Sequence, residues 1–236
     1  MELKKWLISD IGAIAIGIIL TLVVLAESIY PPWSPYFIVY AILAIIIPLF
    51  LGTYRFGPFV AIMKSNWRLI LCIFVIAAIL NEGVFSWLYE RILVNLGLSN
   101  YPFYSLKAAM NSISDKAADK FGIAKDAAIM LYAFFIVIWA PIGEELFYRG
   151  YIQGILRQFN SFKVSTLISA ALFGIRHMTH EFFLWPDYPL IAAGSWALSA
   201  FVFGLLMNYL YEKSRSIYPL ILVHAGINLI DIVISL

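Results

Sequence analysis

Seven apolar runs of near-spanning length, at about residues 6–26, 36–52, 67–89, 127–155, 164–178, 189–211 and 217–235, follow one another with mostly short polar links. A helix needs about 20 mainly apolar residues to cross a hydrocarbon core roughly 30 Å thick, so this succession predicts an all-α polytopic transmembrane helix bundle. Composition agrees. Of the 236 residues, 63% are hydrophobic and 13% charged, against roughly a half and a quarter in soluble domains. A net charge of +2 without a basic run offers nothing to track a phosphate backbone, which argues against nucleic acid as a partner. Cys72 stands alone, so no intramolecular disulfide or cysteine metal cluster is available, and a lone thiol on an apolar helix reads as packing. Lys4 and Lys5 precede an apolar stretch as in a signal peptide, yet that stretch has spanning length and contains Asp10. An uncleaved first span is therefore expected.

The fifth run is short. It is expected to end near Met178, or to continue irregularly from Thr179 to Leu184 under cover of protein or water. The long link at 90–126 alternates Ala with Lys107, Asp115, Lys116, Asp119, Lys120, Lys125 and Asp126. A surface amphipathic helix fits it, with Phe103, Leu106, Met110, Ile113 and Phe121 toward the apolar side. If the seven runs alternate in direction, Lys4, Lys5, Arg55, Lys64, Arg157, Lys163, Lys213 and Arg215 share one side, and Arg176 is the basic residue near the opposite short loops. Excess Lys and Arg mark the cytoplasmic face, so the N-terminus is expected there. One membrane domain covers 1–236, divided into N-terminal helices and the amphipathic segment at 1–126 and a motif-bearing part at 127–236.

Within the fourth run stands Pro141-Ile142-Gly143-Glu144-Glu145-Leu146-Phe147-Tyr148-Arg149. Ionisable groups at such depth must pair, become neutral, or face water or protein. On a helix, positions four apart share a face, so Glu145 pairs with Arg149. Glu144 projects about 100° away and has no cation three or four positions off on its own face, so its partners must come from elsewhere in the chain. Two of the three histidines, His177 and His224, also lie in apolar runs; Phe173 shares a face with His177, and His224 with Asn228. At about 1.5 Å per residue, Glu144 lies about 20 Å from Arg157, His177 about 21 Å from Lys163 and His224 about 13 Å from Arg215. The three groups can therefore meet at one level near the middle of the membrane.

A buried carboxylate facing two imidazoles suits proton transfer, with Glu144 as general base toward water. His224 and the Asn228 amide, one turn apart, would offer two donors to the oxyanion of an attacked amide, and Phe173 would wall His177. Gly143, Gly174 and Gly226 would permit close approach between helices. Together, Glu144-Glu145-x-x-x-Arg149, Phe173-x-x-x-His177 and His224-x-x-x-Asn228, in that order on successive apolar segments, resemble the CAAX-protease and bacteriocin-processing (CPBP, Abi) family, which includes the type II CaaX prenyl endopeptidases. The resemblance covers about 127–236. It implies an intramembrane endopeptidase in which Glu144 and His177 activate water, His224 and Asn228 stabilise the oxyanion, and Glu145 and Arg149 hold the geometry. CaaX members remove the last three residues after a prenylated cysteine, and prokaryotic relatives are linked to bacteriocin processing or immunity. The implied setting is a prokaryotic cell membrane, with the lipid bilayer and a peptide or protein substrate as partners. CaaX members have eight helices, so about seven to eight are expected here, the eighth within 90–126.

Rival readings use the same side chains. Glu144, His177 and His224 make a two-His, one-carboxylate set, the ligand count of a catalytic zinc site. No His-Glu-x-x-His is present, however, since His177-Met178-Thr179-His180-Glu181 puts the acid after the second His. Nor is there a Gly-x-Ser-x-Gly elbow. The metal-free glutamate mechanism is preferred, because three side chains that ligate zinc cannot easily also serve as base and oxyanion donor. A proton-coupled transporter could use the cluster as a relay, but the broken, repeated helices such proteins show are not apparent. A non-catalytic immunity or scaffold protein is the third reading. His180 and Glu181 read as interfacial, Asp231 equally as a further partner of His224 or as a residue at the C-terminal membrane edge, and Asp10 and Glu82 are unassigned.

Overall fold

The computed structural model describes residues 2–26, 45–51, 56–98, 111, 114–115, 118–119, 122–184 and 190–235. Among them all regular structure is helical. After a short helix at Glu2–Leu7 come α1 (Asp10–Ala26), α2 (Ile47–Leu51), α3 (Phe59–Asn95), α4 (Lys125–Phe159), α5 (Phe162–Leu184), α6 (Leu190–Ser214) and α7 (Tyr218–Ser235). The helices α3, α4 and α6 are long and apolar enough to cross a membrane, and Asp10–Leu22 and Tyr218–Ile234 are shorter apolar helices. Polarity is inverted relative to a soluble fold: Phe50 is 82% and Val60 73% exposed while Glu145 and Arg149 are 0% exposed. Such a surface belongs in lipid, and the chain is a membrane helix bundle. The proposed amphipathic residues Phe103, Leu106, Met110, Ile113 and Phe121 lie outside the described residues.

Local chemistry sets the boundaries. Gly57, at φ +143°, and Pro58, in extended conformation, precede α3. Asn160 is extended and ends α4. Ser161 then caps α5, its Oγ accepting from Val164 N at 3.4 Å. The fifth apolar run is thus one continuous 23-residue helix that neither stops at Met178 nor turns irregular. Polar His180 and Glu181 concealed its length, because an ionisable pair ends a hydropathy run without ending a helix. Arg215, at φ 54°, turns the chain between α6 and α7, and Pro219 sits in the first turn of α7, where its missing N–H is harmless.

Two apolar clusters hold the bundle. One joins Ala13, Ile16 and Leu20 of α1 to Phe147, Tyr151 and Ile155 of α4 and to Leu172 and Phe173 of α5. The other joins Ile73 of α3, Leu146 of α4, Met207 and Leu210 of α6, and Leu220 and Val223 of α7. Leu146 and Phe147 face different clusters, so the charged stretch of α4 runs between them. Helix α5 packs along α6, and Gly174 is one point of close approach between them. A Cβ there would stand 2.8 Å from the Ala197 carbonyl oxygen and 3.1 Å from Phe201 Cβ. Gly174→Ala is therefore expected to destabilise the bundle by about 1–3 kcal/mol, as overpacking against backbone does, and to lower the unfolding midpoint in detergent. A Cβ on Gly226 would similarly stand 2.7 Å from the Phe74 ring.

Candidate active site

Helix α4 is not a uniform α-helix where the charges stand. Phe135–Trp139 and Glu145–Gln153 are π-helical, separated by Ala140–Glu144. Such widened turns recur at functional sites because they re-aim side chains and loosen backbone pairing. Pro141 contributes to this. Lacking an N–H, it leaves the carbonyl five residues back, that of Ile136, without its π-helical donor. Asn228 of α7 supplies one, Nδ2 donating to Ile136 O at 2.8 Å. In the second widened stretch, the Tyr148 carbonyl accepts from Ser169 Oγ at 2.8 Å. Side chains of neighbouring helices thus satisfy backbone groups that lipid would leave unpaired.

Glu145 and Arg149 pair as their spacing predicts, Arg149 Nη1 donating to Glu145 Oε1 at 3.0 Å with both side chains 0% exposed. The same carboxylate oxygen accepts from His224 Nδ1 at 2.7 Å, so Glu145 orients the imidazole as well as neutralising the arginine. Nδ1 carries the proton of a bond to a carboxylate, which turns Nε2 toward Glu144, 3.7 Å from Oε2. That separation exceeds a hydrogen bond. The Arg149 guanidinium lies 4.5 Å from the centre of the Phe173 ring, a cation–π contact in a dry interior. Phe173 also packs on His177 at 4.3 Å and on His224 at 6.2 Å between ring centres, so it walls both histidines.

The partner that Glu144 lacks on its own helix is Arg176. Its Nη1 stands 3.0 Å from Glu144 Oε1, with the two side chains 5% and 4% exposed. Arg176 is therefore not at a helix end near a loop: α5 continues beyond it to Leu184, the side chain is buried inside the bundle, and it leaves the count of charges near the loops. Sequence reasoning missed it as a site residue. The signal was available, since an arginine within an apolar helix needs a counter-charge as much as a lone glutamate does.

His177 Nδ1 donates to the Phe173 carbonyl at 2.8 Å, leaving Nε2 as the ring's acceptor. Asp231 is placed beside Asn81. It belongs to a separate group on α3, α6 and α7, in which Asn81 Nδ2 lies 2.9 Å from Glu82 Oε1 and 3.5 Å from Asp231 Oδ1, while Asn81 Oδ1 accepts from Ser199 Oγ at 3.0 Å. A cavity of about 10 Å³, room for about one water, borders Asn81 and Ser199. Phe203 lines it and packs on His224 at 5.0 Å, which sets this cavity apart from the Glu144 carboxylate. Asp10 accepts from Ile11 N at 2.8 Å at the start of α1. The side chain of His180 lies outside the described residues.

Among the described residues, no three His, Cys, Asp or Glu side chains converge as a metal would require. A guanidinium 3.0 Å from Glu144 would also repel a dication. The donor set does not fit zinc.

Residues 126–230 match the family model for type II CAAX prenyl endopeptidase Rce1-like proteins. This part of the chain, somewhat under half of it, is similar to that family. The chain is also similar to the UPF0177 protein YxdF of Lactococcus lactis subsp. lactis (strain IL1403), with 25% identity over 171 residues, covering 68% of this chain and 88% of the relative. No solved structure matches it. The Rce1-like segment contains Glu144, Glu145, Arg149, Phe173, Arg176, His177, His224 and Asn228. The match falls on the same part of the chain as the three motifs that resemble the CPBP family.

Proposed function

We propose that the protein hydrolyses a peptide bond within the membrane, with Glu144 as general base and then general acid. The observation that carries this reading is a buried carboxylate flanked by Arg176 at 3.0 Å and by His224 at 3.7 Å inside the Rce1-like segment. Water gives a proton to Glu144 as its oxygen bonds the amide carbon, and the carbonyl electrons move onto oxygen. Collapse of that oxyanion breaks the C–N bond, and Glu144 returns the proton to the leaving amine. His177, with Nδ1 held by the Phe173 carbonyl, positions the water through Nε2. His224 faces the reacting centre in the orientation that Glu145 sets. Asn228, through Ile136, fixes α7 against the first widened turn of α4 and brings His224 to its place. The substrate class that accords with similarity to type II CAAX prenyl endopeptidases is a prenylated CaaX peptide, which would lose its last three residues. The expected setting is a cell membrane with the N-terminus cytoplasmic.

The test is mass spectrometry of products after reconstituted protein meets farnesylated and unmodified CaaX peptides, with and without a chelator. Cleavage after the modified cysteine, only in the farnesylated peptide and unaffected by chelation, is the expected result. Equal cleavage of both peptides would remove the prenyl requirement. Inactivity restored by stoichiometric zinc would overturn the metal-free mechanism.

A further inference from the structure

Four formally charged side chains are buried together: Glu144 and Glu145 on α4, Arg149 on α4 and Arg176 on α5. Two carboxylates face two guanidiniums, and the pairings divide the work. Arg149 is fixed to Glu145, which also holds His224. Arg176 is fixed to Glu144. The charge on Glu144 is the one that disappears when it takes a proton from water. At that moment the substrate carbonyl oxygen acquires a negative charge. Reacting atoms in a productive complex stand about 3–3.5 Å apart, so the new oxyanion forms within several ångströms of the Glu144 carboxylate. The Arg176 guanidinium, 3.0 Å from the carboxylate that takes the proton, is thus beside the oxygen that gains a charge.

Resting on the glutamate mechanism above, we propose that Arg176 is a further catalytic residue, whose guanidinium passes from Glu144 to the oxyanion during attack and back as the intermediate collapses. The total charge of the site is unchanged throughout, so no buried ion is left uncompensated, which in a water-poor interior would be the largest penalty on the step. The interaction with substrate is made only in the transition state and intermediate, where it accelerates the reaction instead of merely tightening binding. His224 Nδ1 and Asn228 Nδ2 are already donating to Glu145 and to Ile136 O. Arg176 approaches Glu144 more closely than His224 does, at 3.0 Å against 3.7 Å. A carboxylate at the far end of a departing tripeptide would lie about 10 Å from the scissile bond. Oxyanion stabilisation therefore suits Arg176 better than recognition of the substrate's C-terminus.

The experiment follows cleavage of a farnesylated CaaX reporter peptide by wild type, Arg176→Gln, Arg176→Lys, Arg176→Ala and Glu144→Gln, with thermal unfolding of each in detergent. Arg176→Gln is expected to lower kcat by about 10²–10³-fold while KM stays within about threefold, the signature of a lost oxyanion donor. Arg176→Lys should be intermediate, keeping the charge without the planar fork. Added guanidinium should partly restore Arg176→Ala. Wild-type kcat in both Arg176→Gln and Arg176→Lys, with Glu144→Gln inactive, would overturn the proposal. If Arg176→Gln fails to fold, the other two variants decide: a wild-type kcat in Arg176→Lys, or no response of Arg176→Ala to guanidinium, would reduce Arg176 to a structural ion-pair partner. Full activity in Glu144→Gln would instead remove the underlying mechanism.

Discussion

Glu144→Gln is expected to lower kcat for peptide-bond cleavage by about 10²–10⁴-fold, the usual contribution of a positioned general base. Glutamine is close to isosteric and keeps an oxygen that can accept from Arg176, which in the wild type lies 3.0 Å from Oε1. It cannot take a proton from water. The substitution thus separates catalysis from folding more cleanly than removal of the side chain would. Since Arg176 then faces a neutral partner, the unfolding midpoint should be measured alongside the rate. Cleavage of a farnesylated CaaX peptide at the wild-type rate by the folded variant would eliminate Glu144 as the base. It would leave the buried network as a structural or proton-relay device.

Arg149→Met is expected to have the largest effect on stability, about 3–5 kcal/mol, because it removes one partner of a fully buried ion pair and leaves the other charge uncompensated. Arg149 and Glu145 are both 0% exposed, and methionine restores only part of the packing on Phe173 that the guanidinium provides at 4.5 Å. The Glu145→Gln/Arg149→Met double variant should recover much of the loss, since it leaves no unpaired charge. Its catalytic rate should nevertheless stay low, because glutamine holds the His224 ring less firmly than the carboxylate that now accepts from Nδ1 at 2.7 Å. Chemical denaturation in detergent gives the first quantity and peptide cleavage the second. A double variant no more stable than Arg149→Met would mean that the arginine acts through packing rather than through charge.

The legible and illegible parts of the site differ in the range of the contact. Glu145 and Arg149 were readable because both lie on one helix and the spacing carries the geometry, even through the widened turns of α4. The unmet need of Glu144 was readable too, but not its partner. Arg176 reads as lying near a short loop because the run of hydropathy fades near Met178, while the hydrogen bonds of α5 continue to Leu184. Asn228 and His224 share a face as expected, yet one bonds a backbone carbonyl on α4 and the other a carboxylate there. That division depends on Pro141 and the π-helical turns, which one-dimensional periodicity does not reveal. Asp231, seven positions after His224, could be placed on nearly the same face but not matched to Asn81, on a helix 150 residues away in sequence.

The sequence by itself determined that this chain is an all-helical membrane protein, because apolar runs of spanning length admit no other way to satisfy the backbone in lipid. It also determined which side chains could not remain alone there. Only the tertiary structure decided the pairings, setting Arg176 against Glu144 and His224 against Glu145. A charge in a low-dielectric interior demands a partner whatever the fold, whereas the identity of that partner depends on which helices pack side by side.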